Sequence, residues 1–255
     1  MSFAKDSKLQ IIEKDIEDAD CAQAFLSGLL HASGTITKNS EGIRVDVVTD
    51  FKEIFPYLNK LISRLYGREL SLEISDDYII NKTTYYRIKF PVDISLDILK
   101  DCSIIPPSEE LIFLSNIDEN LIADDETKKA FVKGTYIGCA TSSIRLSELG
   151  SQSPTTGYHV EFASHKREFL EGLQKILMHF EITSKLSSRK KIFVLYLKDS
   201  EAIKDLLALV GAEQSVLDLS DEMAKRDLRN TVNRQVNCIN ANINKTIEAS
   251  LKQIQ

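Results

Sequence analysis

Cysteine and histidine are scarce in this 255-residue chain, four of each, and neither set has the spacing its special chemistry requires. Cys21, Cys102, Cys139 and Cys238 are widely scattered and form no C-x-x-C pair. That argues against a disulfide framework and a structural zinc site, and for reduced thiols in a cytoplasm. His31, His159, His165 and His179 show no H-E-x-x-H spacing. A metal site needs three or four ligands brought onto one ion, so neither a metal nor another cofactor is expected. Long apolar runs are also missing: no window comes near the roughly 18 consecutive apolar residues of a membrane span. Met1 to Leu9 mixes Lys and Asp without an apolar core, so secretion is not expected either.

What is present is an ordinary globular composition, with 43% apolar and 27% charged residues. The length suits one large domain or two smaller ones. A formal net charge of −6 is unfavourable for a nucleic-acid binder, because phosphate contacts supply most of that affinity.

The chain is written twice. Residues 24–28 read Ala-Phe-Leu-Ser-Gly and residues 130–134 read Ala-Phe-Val-Lys-Gly, 106 positions later. The first copy runs as a helix (Ala22 to Ala32), Gly34 and a loop, a strand (Ile43, Val45, Val47) and an amphipathic helix (Ile54 to Tyr66). Two strands (Leu70 to Ile74, Tyr85 to Phe90) and a short helix (Ile94 to Leu99) follow. The second has a helix at Thr127 to Cys139, a longer loop through Gly150 and Pro154, a strand at Tyr158 to Ala163 and a helix at Lys166 to Phe180. It closes with strands at Ser184 to Ser188 and Ile192 to Leu197 and a helix at Ser200 to Val210. Each copy therefore reads α-β-α-β-β-α, with period-2 strands and 3.6-period helices. Pro106-Pro107 marks the linker.

Both leading helices carry small residues at i, i+4 and i+8: Ala24, Gly28 and Ala32, then Ala130, Gly134 and Gly138. Such a stripe lets two backbones approach closely. It would also serve packing against a sheet, but two stripes in register favour helix-to-helix packing about a pseudo-two-fold axis.

With a glycine after it, the stripe resembles the LAGLIDADG motif of homing endonucleases, spelled Leu26 to Gly34 in the first copy and, more degraded, Val132 to Ala140 in the second. The resemblance implies two central helices and two four-stranded saddles straddling DNA. It also implies a metal-holding carboxylate at the eighth motif position of each copy, which falls here on Ser33 and Cys139. A neutral hydroxyl and a soft thiol cannot hold the hard divalent ions this cleavage chemistry uses. His31 and Ile137 replace the motif's other acid, and His31 is read as a helix-end residue near the surface. Rescue by Asp46 or Glu161 would need a different geometry. No nuclease activity is expected.

A second string is more specific. Arg229-Asn230-Thr231-Val232-Asn233-Arg234-Gln235-Val236-Asn237-Cys238, continuing into Asn240-Ala241-Asn242-Ile243-Asn244-Lys245-Thr246, is similar to the segment that closes the LAGLIDADG part of WhiA proteins. The resemblance covers nearly the whole chain. It implies an α+β fold of two pseudo-symmetric repeats with paired central helices and a helical tail. It further implies a DNA-binding regulator of cell division, chromosome segregation and, in some bacteria, sporulation. WhiA proteins normally continue into a helix-turn-helix domain. The chain stops at Gln255 within an apparent helix (Thr246 to Gln255), so a truncated product is expected.

The expected organisation is an N-terminal helix (1–20), repeat 1 (21–105), a linker (106–126), repeat 2 (127–212) and a C-terminal helical segment (213–255). In that last segment apolar residues recur at Leu228, Val232 and Val236, then Ile243, Ile247 and Leu251, which is helical spacing. Lys225, Arg226, Arg229, Arg234, Lys245 and Lys252 face only Asp227 and Glu248, so this tail is basic in an acidic chain. Its DNA-contact candidates are Arg229, Asn230, Asn233, Arg234, Asn237 and Lys245, because Asn and Arg can bond to phosphates and base edges. The six asparagines (230, 233, 237, 240, 242, 244) would equally cap and brace a junction, and they predict an interrupted helix. In the first copy the saddle strands carry mixed charge. In the second, Lys185, Arg189, Lys190 and Lys191 form the best basic patch of the body, or simply a solvated hairpin turn. The expected partner is double-stranded DNA, with transcription or division machinery as a further partner. No membrane and no small-molecule substrate are expected, and the location is cytoplasmic at the nucleoid. The rivals are a protein-interaction scaffold without DNA contact and an active LAGLIDADG endonuclease.

Overall fold

The computed structural model describes residues 2–40, 42–80, 83–106, 114–146 and 157–254. Helix α1 (Phe3–Glu13) leads into a first copy made of α2 (Ala19–Ser33), β1 (Gly34–Asn39), β2 (Gly42–Thr49), α3 (Ile54–Tyr66), β3 (Ser71–Ile80), β4 (Thr83–Lys89) and α4 (Val92–Asp101). The second copy is α5 (Asp125–Cys139), β5 (Ala140–Ser142), β6 (Val160–Ser164), α6 (Arg167–His179), β7 (Lys185–Arg189), β8 (Ile192–Leu197) and α7 (Ser200–Val210). A long helix, α8 (Glu213–Ile254), follows. The strands pair antiparallel in the orders β1-β2-β4-β3 and β5-β6-β8-β7. Both copies thus share one topology, and the fold is the α+β arrangement of two repeats with central helices.

Each copy holds one strand more than its hydrophobic pattern suggests. β1 and β5 leave the central helices without a break, pairing Gly34 with Val47 and Ala140 with Phe162. In β1 only Ile36 is apolar, and β5 is three residues long, so neither displays the alternation that marks a strand. The loops through Gly150 and Pro154, and Pro107 of the linker, lie outside the described residues.

Local chemistry fixes the starts of the central helices. Asp18 caps α2, its Oδ1 accepting from the Cys21 amide at 2.8 Å. Asp124 caps α5 in a reciprocal box with Thr127. α3 and α6 each bury one apolar stripe: Ile54, Tyr57, Leu58, Leu61 and Ile62 in the first, Phe169, Leu170, Leu173, Ile176 and Leu177 in the second. The α6 stripe packs on β6, β7 and β8, and both stripes share the core with Val45, Val47 and Ile88 of the first sheet and Val160, Phe162, Leu195 and Leu197 of the second.

α8 corrects the expected interruption: it is one continuous 42-residue helix, about 63 Å long. Each asparagine costs at most about 0.7 kcal/mol against alanine in a helix. Here Asn230, Asn233, Asn237, Asn240, Asn242 and Asn244 are all exposed, so none is forced to bond back to the backbone. The first half of α8 packs against α1 and α7, and among the described residues positions 230–250 are exposed. Gln10 bonds Ser215 through both its amide atoms, and Lys14 pairs with Glu213 at 2.6 Å. Among the described residues no helix is long and apolar enough to cross a membrane.

Candidate nucleic-acid interface

The two central helices are in backbone contact. A Cβ placed on Gly28 would stand 2.1 Å from the Phe131 carbonyl oxygen, and one on Gly134 would stand 1.9 Å from that of Phe25. At the far end, a Cβ on Gly138 would meet the Ala32 Cβ at 2.7 Å and Ser33 Oγ at 3.1 Å. Ala24 and Ala130 are buried, and the Thr135 hydroxyl donates across the seam to the Gly28 carbonyl at 3.4 Å. Gly28, Ala32, Gly134 and Gly138 of the two stripes therefore lie where α2 meets α5.

The last residues of those helices, Ser33 and Cys139, are not carboxylates. The Ser33 hydroxyl donates to the Leu29 carbonyl one turn back at 3.1 Å, so it is committed inside its own helix. Burial pushes the Cys139 thiol up to about 12, against a smaller lowering by Lys8 and by the Ala163 backbone. A thiol held neutral in this way is a poor ligand for a hard cation. Thr49, Asp50, Lys5, Lys8 and Thr141 share a cleft of about 390 Å³ with Cys139, and among the described residues Asp50 is the one carboxylate lining it. Among the described residues no three His, Cys, Asp or Glu side chains converge to hold a metal ion.

His31 is not near the surface, and the expectation for it is corrected. It is 4% exposed, stacked on Phe169 with ring centroids 5.4 Å apart, and tilted against Phe131. The 3.6-residue repeat alone does not show that α6 lays a phenylalanine over this turn. Burial, helped by Lys166, pushes the imidazole down to about 3. The unfolded chain takes up this proton near pH 6.5, whereas the folded one does so only near 3. Stability from the neutral ring is thus complete above about pH 6.5 and falls with acid at about 1.4 kcal/mol per pH unit. Between pH 7 and pH 5 the protein should lose about 2 kcal/mol that His31→Phe does not lose. Urea midpoints of both proteins at the two pH values test this; parallel losses would contradict it.

The two saddles neutralise themselves at matching positions. Asp46 is fully buried, accepting from Arg44 Nε at 3.0 Å and from the Arg87 guanidinium at 3.2 Å. Glu161, the equivalent residue one strand pairing away from β5, accepts from Arg189 at 3.2 Å and lies 2.9 Å from His159. Glu73 pairs with Lys89, and Asp93 with Arg68. Both acids that might have replaced the missing carboxylates are therefore held by cations. Of the second-copy basic cluster, Arg189 is tied to Glu161, while Lys185, Lys190 and Lys191 are exposed on β7 and its turn. Lys190 makes that turn with φ of 58°.

The second set of candidates lies apart from the first, along α8. Asn230, Asn233, Arg234, Asn237 and Lys245 stand exposed on its free half. Arg229 is anchored to Glu222 at 3.3 Å, as is Arg226 at 3.0 Å. Glu222 is 1% exposed, and the Arg226 guanidinium also covers the Tyr158 ring at 4.2 Å. Sequence reasoning missed this clamp, although the spacing of residues 222, 226 and 229 on one helix face would have revealed it. It also missed what α1 does: the Ser7 and Tyr136 hydroxyls bond at 3.0 Å, and Lys8 Nζ donates to the Ile137 carbonyl at 3.0 Å. A short polar helix gives no hint of where it docks.

Comparison with known proteins agrees with this geometry. Residues 19–105 match the family model of the WhiA N-terminal LAGLIDADG-like domain, and residues 143–229 match that of the WhiA LAGLIDADG-like domain. A probable cell division protein WhiA of Staphylococcus epidermidis is 31% identical over the whole chain, which covers 77% of that relative. One from Bacillus velezensis is 33% identical with the same coverage. The crystal structure of full-length DUF199/WhiA from Thermatoga maritima superposes with a TM-score of 0.69 at 18% identity, over 97% of this chain and 75% of that one.

Proposed function

The chain belongs to the WhiA family, and from that premise we propose that it is a non-enzymatic, DNA-binding regulator of cell division. The observation that carries this reading is a retained scaffold without its chemistry. Backbone-tight central helices end in Ser33 and Cys139, and the neighbouring acids Asp46 and Glu161 are consumed by arginines. Phosphodiester cleavage needs divalent ions held by anionic oxygen at those ends. Binding needs only cations that reach phosphates, and Lys185, Lys190, Lys191, Arg234 and Lys245 are exposed to do so. Work at the nucleoid on transcription, chromosome segregation or sporulation is part of the same proposal.

Such contacts read little sequence by themselves, so affinity in the non-specific range of roughly 10⁻⁴ to 10⁻⁶ M is expected from this chain. Each phosphate contact adds about 0.9 to the slope of log affinity against log salt. Arg234→Ala/Lys245→Ala should therefore flatten that slope by about 2. Fluorescence anisotropy with labelled duplex DNA checks it. An unchanged slope would remove α8 from the interface. The self-neutralised saddles favour a second reading, a protein-docking scaffold, which total absence of DNA binding at low salt would support.

A further inference from the structure

The free half of α8 is not uniformly polar. Leu228, Val232, Val236, Ile239, Ile243 and Ile247 are each 47–67% exposed. At 3.6 residues per turn they fall on one side of the helix, a stripe of about 30 Å with nothing of this chain against it among the described residues. Contiguous apolar surface of that extent is unusual on a monomer and marks an interface. Arg234 and Lys245 project from the opposite side, Arg229 at the stripe's edge is paired with Glu222, and Gln235, Asn240 and Thr246 flank it with neutral groups.

The geometry points to a homodimer in which the free halves of two α8 helices pack antiparallel along this stripe. Three observations select a second copy of this chain as the occupant. The first is spacing. The intervals between the six residues are four, four, three, four and four, the same read in either direction. A two-fold axis between Val236 and Ile239 therefore brings 228 opposite 247, 232 opposite 243 and 236 opposite 239, apolar on apolar throughout. An isologous interface demands that kind of self-complementarity.

The second observation is charge. Residues 1–224 carry 26 basic and 36 acidic side chains, so a parallel pair would set two acidic bodies side by side. The antiparallel pair separates the two bodies along the helix axis. The third is the position of the stripe. It begins at Leu228, where packing of α8 on its own body ends, and the clamp of Arg226 and Arg229 on Glu222 holds the helix straight into solvent. The inference is independent of DNA binding, although pairing leaves Arg234 and Lys245 facing outward.

Sedimentation equilibrium of the intact chain across a concentration series tests it. The mass should rise from 28.8 kDa toward twice that value and stop there. Val236→Asp/Ile239→Asp should hold it at the monomer value with an unchanged circular dichroism spectrum, since both sites are already solvated in one copy. Met178→Asp, at an exposed apolar residue elsewhere (56% exposed), should dimerise as before. A monomer at every concentration, growth beyond two copies, or a dimer untouched by the double substitution would overturn the proposal. Orientation is read by a spin label on Ser250→Cys in a Cys238→Ser background. Antiparallel helices separate the two labels by about 37 Å at 1.5 Å per residue. A separation near one interhelical distance, about 10 Å, would overturn the antiparallel arrangement.

Discussion

Gly134→Ala should lower the stability of the fold by about 3 kcal/mol or more, although it adds a single methyl group. The methyl would occupy a point 1.9 Å from the Phe25 carbonyl oxygen and 2.9 Å from the Leu29 amide nitrogen. Those are backbone atoms of a helix buried on all sides, not the tip of a flexible side chain. Relief requires α2 and α5 to move apart, and every layer packed on them resists because protein interiors have little free volume. Gly28→Ala should behave alike, its methyl meeting the Phe131 carbonyl at 2.1 Å. Gly157→Ala is the control, because nothing lies within 4 Å of a Cβ there, and it should stay within about 0.5 kcal/mol of the parent. Urea unfolding followed by circular dichroism measures all three. A loss under 1 kcal/mol at Gly134 would mean that the helices are not in backbone contact.

Asp46→Ala comes next in size. Asp46 is fully buried between Arg44 and Arg87, whose side chains are 25% and 22% exposed. Removing the carboxylate leaves two half-buried guanidinium groups facing each other, and breaking a buried pair in this way costs about 3–5 kcal/mol. Replacing Arg44, Asp46 and Arg87 together by leucine should recover most of that loss, because the uncompensated charge goes with the carboxylate. Asp46→Asn offers a functional counterpart: where the fold survives, two arginines on the saddle are released from their counter-ion. DNA affinity at low salt should rise and its salt slope should steepen by up to about 2. Equal stability of Asp46→Ala and the parent would show that the arginines are adequately solvated without it.

Much of this was legible in the amino-acid order, for a physical reason. The duplicated Ala-Phe-x-x-Gly segments and the small-residue stripes reflect close backbone approach, which only a few residue types permit. The stripes of α3 and α6 and the alternation in β2, β6 and β8 reflect burial of one face, and burial leaves a period. What stayed hidden leaves none. β1 and β5 are defined by hydrogen bonds to β2 and β6, not by apolar alternation. His31 looks like a polar helix terminus until Phe169, 138 positions away in the sequence, is laid over it. The saddle charges read as merely mixed; only cross-strand register shows that Arg87 and Arg44 converge on Asp46. α8 looked broken because asparagine disfavours helix slightly, yet small local penalties lose to a helix anchored firmly at one end.

We propose a LAGLIDADG-like scaffold that holds DNA and does not cut it. One experiment addresses both halves: anisotropy of the intact chain with labelled duplex DNA across a salt series with Mg²⁺, the recovered DNA then resolved on a denaturing gel. Binding should weaken steeply as salt rises, with every strand intact. Nicked or cleaved strands would contradict the reading of Ser33 and Cys139, and no binding at the lowest salt would contradict the assignment of DNA as partner.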